Sequence, residues 1–181
     1  MTWSTYHHRG DVLRVVTETA DARRDGLLPM DVVGVRETFG DEVTLLGALQ
    51  LRWHTRLSGH LEGALLEQPE DLDAAVVTAW HATADDLPGT RLVLDHYRAA
   101  PRDEAMAFML ATSAAKERVL LAATAGRAGA RTEDTVAAGL ALEERARAAY
   151  DWQPEEHSEP VPVAAARGRG LLARIKAHVA A

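Results

Sequence analysis

A carboxylate among apolar neighbours is the first feature of this chain that could do chemistry. Wound as an α-helix, Glu117 falls inside a stripe made by Met106, Leu110, Ser113, Leu120, Leu121 and Thr124. An ionised acid in such a place is costly unless it is paired, protonated or bound to metal. It reads either as a ligand or proton-handling acid, or as a carboxylate satisfied by an arginine of a neighbouring helix. His60 is the second candidate, placed by its spacing on the apolar face of another helix with Trp53 and Leu57. Imidazole suits metal ligation or proton transfer, and equally a plain hydrogen bond. Glu117 and His60 are therefore the candidate metal ligands.

The remaining titratable groups carry weaker signals. His54 lies at the edge of the His60 stripe, six residues away, and cannot join His60 on one metal as an i, i+4 pair would. Asp95 and His96 precede Tyr97, and Asp95 is four residues from Arg91, the spacing of a surface helix pair. His81 lies opposite Leu72, Val76 and Ala79 and is expected in solvent. The run Tyr6-His7-His8-Arg9 reads as solvated.

Several reaction classes are missing their signatures. The chain has no cysteine, which removes disulfides, thiolate metal sites and cysteine nucleophiles. It also contains no Gly-x-x-x-x-Gly-Lys loop, Gly-x-Ser-x-Gly elbow, His-Glu-x-x-His or EF-hand loop. No cofactor is expected, and a binding role is favoured over an enzymatic one.

The elements that would position these groups are helical. Apolar residues make up 47% of the chain but aromatics only 5%, so the core must come from Ala and aliphatic side chains that favour helix. Asp11 is expected to cap a first helix that Asp25-Gly26 stops. A short piece follows from Leu28, weakened by Gly34 and closed by Gly40. Asp41 caps a long helix to about Gln68, with Leu46, Leu49, Trp53, Leu57, His60, Leu61 and Ala64 on one face. Another runs from about Glu70 to Asp86, breaks at Leu87-Pro88-Gly89 and resumes to Ala99. Pro101 fits the first turn of a second long helix ending at Gly126, and a last helix spans Thr132 to Tyr150. No stretch alternates as a strand would. The expected fold is all-α, an antiparallel bundle of five to six helices with two long core helices and a C-terminal amphipathic tail. In the second long helix Met106, Phe108, Met109, Leu110, Val119, Leu120 and Leu121 cover most of the circumference, placing it at the heart of the bundle or in a subunit interface.

Residues 1–150 are read as the bundle domain. Residues 151–162 hold three prolines and four acids and read as an acidic linker. Residues 163–181 carry Arg167, Arg169, Arg174 and Lys176 without an acid, with Leu171, Leu172, Ile175 and Val179 on one face. This basic amphipathic tail is a candidate contact for a protein partner. The net charge of −7 disfavours broad binding to nucleic acid. No apolar run is long enough to cross a bilayer and no secretory signal opens the chain, so a cytoplasmic location is expected.

Two families share features with this pattern. The helix lengths resemble those of ferritin-like four-helix bundles, which implies a metal-carboxylate site; Glu117 and His60 would be its fragment, although no Glu-x-x-His occurs. The stretch Phe39-Gly-Asp-Glu-Val-Thr-Leu-Leu resembles the exit from the DNA-binding region of TetR-type regulators. Only Leu28 to Thr38 follows the first helix, too little for two further helices, so that resemblance implies a ligand-binding or dimerisation domain without its DNA-binding part. The leading expectation is a non-enzymatic helical-bundle interaction protein that self-associates.

Overall fold

The computed structural model describes the backbone of residues 3–150, with side chains from residue 8 onward. The expected linker and tail lie outside the described residues. Seven helices and no strand are found among the described residues: α1 Trp3–Arg23, α2 Val35–Phe39, α3 Glu42–Leu66, α4 Leu72–Asp86, α5 Pro88–Ala99, α6 Glu104–Thr124 and α7 Thr132–Ala149. The fold is an all-α bundle.

Aspartate side chains cap three of the helix starts. Asp41 accepts the Thr44 N–H at 2.7 Å, and Asp71 accepts that of Ala74 at 3.0 Å. Each satisfies an N–H that the first helical turn leaves without an internal partner. Pro88 opens α5 at a position where its missing N–H costs nothing. Two expected starts are corrected. The first helix begins at Trp3 rather than behind Asp11, because Gly10 in a helix interior costs only about 1 kcal/mol relative to Ala and does not stop propagation. The second long helix begins after Asp103, which accepts the Met106 N–H at 2.8 Å, and Pro101 lies outside it. Asp103→Ala is accordingly expected to destabilise the protein by about 1 kcal/mol in urea unfolding, and Asp103→Ser to recover most of the loss.

The core is organised around α3. Leu45, Leu46, Leu49, Trp53, Leu57 and Leu61 are buried along it, and it packs against every other helix but α7. Trp53 meets Trp80 of α4 edge-on, with ring centroids 5.7 Å apart. The expected central position of α6 is corrected here. Its buried residues Met106, Leu110, Ala114, Glu117 and Leu121 form one stripe, with Ala122 buried to one side of it near the C-terminal end, while Phe108 on the other side is 73% exposed.

Two glycines allow close helix crossings. A Cβ on Gly89 would lie 2.1 Å from the Ala20 carbonyl carbon, and one on Gly139 only 1.9 Å from the Arg118 carbonyl oxygen. The first lets α1 lie against α5 at Ala20, and Asp21 Oδ1 accepts the Gly89 N–H at 2.8 Å. Because α1 leans on α5, it touches α3 only lightly. An open cleft is left between them.

Candidate functional site

Glu117 is fully buried. Its Oε2 accepts from Arg98 Nη2 of α5 at 3.1 Å and from Gln50 Nε2 of α3 at 3.3 Å, while Gln50 Oε1 accepts from Arg98 Nη2 at 3.2 Å. The same guanidinium donates through Nη1 to Glu143 Oε1 of α7 at 3.4 Å. Glu143 also accepts from Arg118 Nε at 3.0 Å and from Arg147 Nε at 3.1 Å. Arg147 in turn donates to Asp95 at 2.9 and 3.1 Å, and Arg91 completes the series by donating to Asp95. Arg91 lies 4.6 Å from the Trp53 ring centroid and 5.9 Å from that of Trp80.

This network holds its charges in place. Burial opposes ionisation of Asp95, but Arg91 and Arg147 outweigh it and keep the carboxyl below its ordinary range. Burial acts the same way on Glu143 and is outweighed by Arg118, Arg147 and Arg98. Guanidinium groups do not deprotonate in proteins. The guanidinium groups facing Asp95, Glu117 and Glu143, with Gln50 between Glu117 and Arg98, tie α3, α5, α6 and α7 together.

The structure does not bring Glu117 and His60 together. Gln50, which touches Glu117, lies ten residues before His60, about 15 Å along the same helix. His60 is also corrected from the core face to its border: its side chain is 31% exposed, and Nε2 lies 2.8 Å from Asp86 Oδ2. The two do not fit a shared metal, since Glu117 already faces the Arg98 cation and His60 is engaged elsewhere. Among the described residues no cluster of three or more His, Asp or Glu is arranged to hold a metal ion.

Other expected placements also change. Asp95 does pair with Arg91, but the pair is not a surface one: Arg91 is buried beneath Trp53 and Trp80 and Asp95 is half-buried. His81 is half-buried, donating Nε2–H to the Ala146 carbonyl at 2.8 Å with the Tyr150 ring 5.3 Å away. The wheel of α4 alone cannot show that α7 covers this side. His54 is half-buried and His96 exposed, with its ring edge-on to Tyr97 at 5.0 Å. His8 is exposed, and the Tyr6 and His7 side chains lie outside the described residues. Sequence reasoning missed Glu143, which shares a stripe with Thr135, Gly139, Leu142 and Ala146 and carries the same signal that singled out Glu117.

The cleft between α1 and α3 has a volume of about 1120 Å³. From Thr44 to His60 its α3 wall is about 24 Å long. The lining from α3 includes the small residues Thr44, Gly47, Ala48, Thr55 and Gly59, with Leu51, 66% exposed, at mid-length. Small side chains here leave the space between α1 and α3 open. Arg9, Arg14, Arg52 and Arg56 line it against Glu18, Asp21 and Asp86. Arg14 pairs with Glu18 and Arg56 with Asp86, both at 2.8 Å, while Arg9 donates to the Thr38 carbonyl and lies over Phe39. Burial pushes the Asp21 carboxyl above its usual range, outweighing the hydrogen bonds from the Gly89 and Thr90 N–H groups. His60 closes one end of this cleft.

No protein-family model, characterised protein or solved structure matches the chain. No helix among the described residues is long and apolar enough to cross a membrane.

Proposed function

We propose that this chain is a non-catalytic helical-bundle binding protein whose α1–α3 cleft receives an amphipathic helix of a protein partner. The observation that carries this reading is the cleft's lining: small residues along α3, one exposed leucine at mid-length, and arginines at the rim. Small-molecule sites usually enclose most of their ligand. A shallow channel about 24 Å long instead matches the dimensions of a helix of about four turns. Gly47 and Ala48 permit close backbone approach, and Leu51 supplies an apolar anchor. Four arginines outnumber three carboxylates here although the whole chain is acidic, which favours a partner helix with acidic flanks.

The test is photocrosslinking in cells from a benzoylphenylalanine at position 51, with Ala137 on the exposed side of α7 as control. The expected result is a discrete protein adduct at 51 only, mapping to an amphipathic segment with acidic flanks. Gly47→Leu, which fills the floor, should lower the yield about tenfold without lowering the melting temperature. Adducts confined to lipid, or equal at both positions, would refute the assignment.

A further inference from the structure

The ion network that joins α3, α5, α6 and α7 does not balance. Among the described residues four guanidinium groups, Arg91, Arg98, Arg118 and Arg147, face three carboxylates, Asp95, Glu117 and Glu143. One positive charge is left over. Arg118 and Arg147 are 28% and 33% exposed and share theirs with solvent. Arg91 does not: its side chain is 6% exposed, and its hydrogen bonding is limited to Nη2 and Asp95. Burial, aided by Arg98 and Arg147, outweighs Asp95 and Glu117 and holds this guanidinium below its ordinary pKa. A guanidinium stays protonated in proteins all the same, so the buried charge persists with too little opposite charge around it.

The hydrogen bonds are unbalanced in the same direction. Arg91 Nε and Nη1, Arg98 Nε, and the indole Nε1 of both Trp53 and Trp80 are buried donors without an acceptor. Against them stand one unpartnered acceptor, Glu117 Oε1, and the Thr90 hydroxyl, which can act either way. The Arg91 Cζ lies 4.6 Å from the Trp53 ring centroid and 5.9 Å from that of Trp80, so three of these side chains pack against one another. The ring faces offset part of the charge, but their N–H groups add to the excess of donors. Water carries donors as well as acceptors and cannot cancel such an excess, whereas an anion only accepts.

We propose that the network binds one small monovalent anion of the halide class, with Arg91 Nη1 and the Trp53 indole N–H as its donors. Trp53 supplies the ring closest to the guanidinium. A single negative charge closes the count, where a dianion such as sulfate would exceed it. Because Arg91 and Trp53 meet only when α5 packs on α3, the anion binds the folded chain and stabilises it. Neither residue lines the α1–α3 cleft, so this site stands or falls separately from the function proposed for that cleft.

Thermal unfolding of the full chain tests this at fixed ionic strength, with sodium chloride or bromide replacing sodium gluconate, whose anion is too large for an interior site. The melting temperature is expected to rise by about 3–6 °C when halide reaches ten times its dissociation constant. Trp53→Phe keeps a ring against Arg91 but has no N–H, and should weaken halide binding at least tenfold whatever its effect on baseline stability. A purely structural loss would lower the melting temperature equally at every halide concentration. Crystals grown in bromide then locate the ion by anomalous scattering at the bromine edge, with one peak expected in contact with Arg91 Nη1 and Trp53 Nε1. A melting temperature indifferent to halide, an unchanged halide dependence in Trp53→Phe, or bromide at surface arginines alone, an adventitious ion only, would overturn the proposal. So would water without a bromine signal at this place.

Discussion

Glu143→Gln is expected to lower the unfolding free energy by about 3 kcal/mol near neutral pH, the scale for removing one partner from a buried ion pair. Glu143 is 3% exposed and accepts from Arg98, Arg118 and Arg147, so its loss withdraws one carboxylate from three guanidinium groups. Arg98 keeps Glu117 and Arg147 keeps Asp95, which places the loss at the lower end of the range. The effect must depend on pH in a definite direction. The folded-state pKa of Glu143 is depressed, so its contribution is complete above the unfolded value of about 4.3 and disappears as pH falls through the folded value. Asp95, also depressed, acts with the same sign. Urea unfolding of the wild type should therefore show stability falling below about pH 4, and the difference between wild type and Glu143→Gln should shrink in the same window. An equal difference at neutral and strongly acid pH would show that the charge of Glu143 is not what stabilises the bundle.

Gly139→Val is expected to cost about 3 kcal/mol or more, the upper part of the range for overpacking. The nearest atoms to a Cβ at this position are the backbone O, C and Cα of Arg118, at 1.9, 2.4 and 2.7 Å. Backbone in the middle of α6 cannot rotate aside as a side-chain tip can, so α6 and α7 must separate along their whole interface. Replacing a helical glycine ordinarily gains up to about 1 kcal/mol, and that gain is outweighed here. For a chain of this size the loss corresponds to a fall of about 6–12 °C in melting temperature. Gly63→Ala on α3 provides the control, because a Cβ there meets nothing within 4 Å, and it should be neutral or stabilising. Separating α6 from α7 also strains the Arg118–Glu143 bond at 3.0 Å. The double variant Gly139→Val/Glu143→Gln should then lose less than the sum of the single losses. Strict additivity would indicate that the crossing and the ion network are independent.

Much of the helical plan was legible from local chemistry. Asp41 capping a long helix, the break at Leu87-Pro88, and helices ending near Gly126 and Tyr150 all follow from hydrogen bonds and backbone freedom that act within a few residues. The burial of Glu117 was legible as well, since one helix's own periodicity places it among apolar neighbours. What that periodicity does not contain is the neighbour. Arg98, Gln50 and Glu143 come from three other helices, and no spacing within α6 names them. His60 shows the opposite failure: its wheel position lies within the apolar stripe, yet its side chain is partly exposed beside Asp86 at the end of α4. The cleft belongs wholly to this second level. Gly89 lets α1 rest on α5, a contact between backbones far apart in the chain, while small residues of α3 line the space beside it. Local sequence sets which helices form and which face of each is apolar; crossing angle and partner choice arise only when those faces compete for one another's surface.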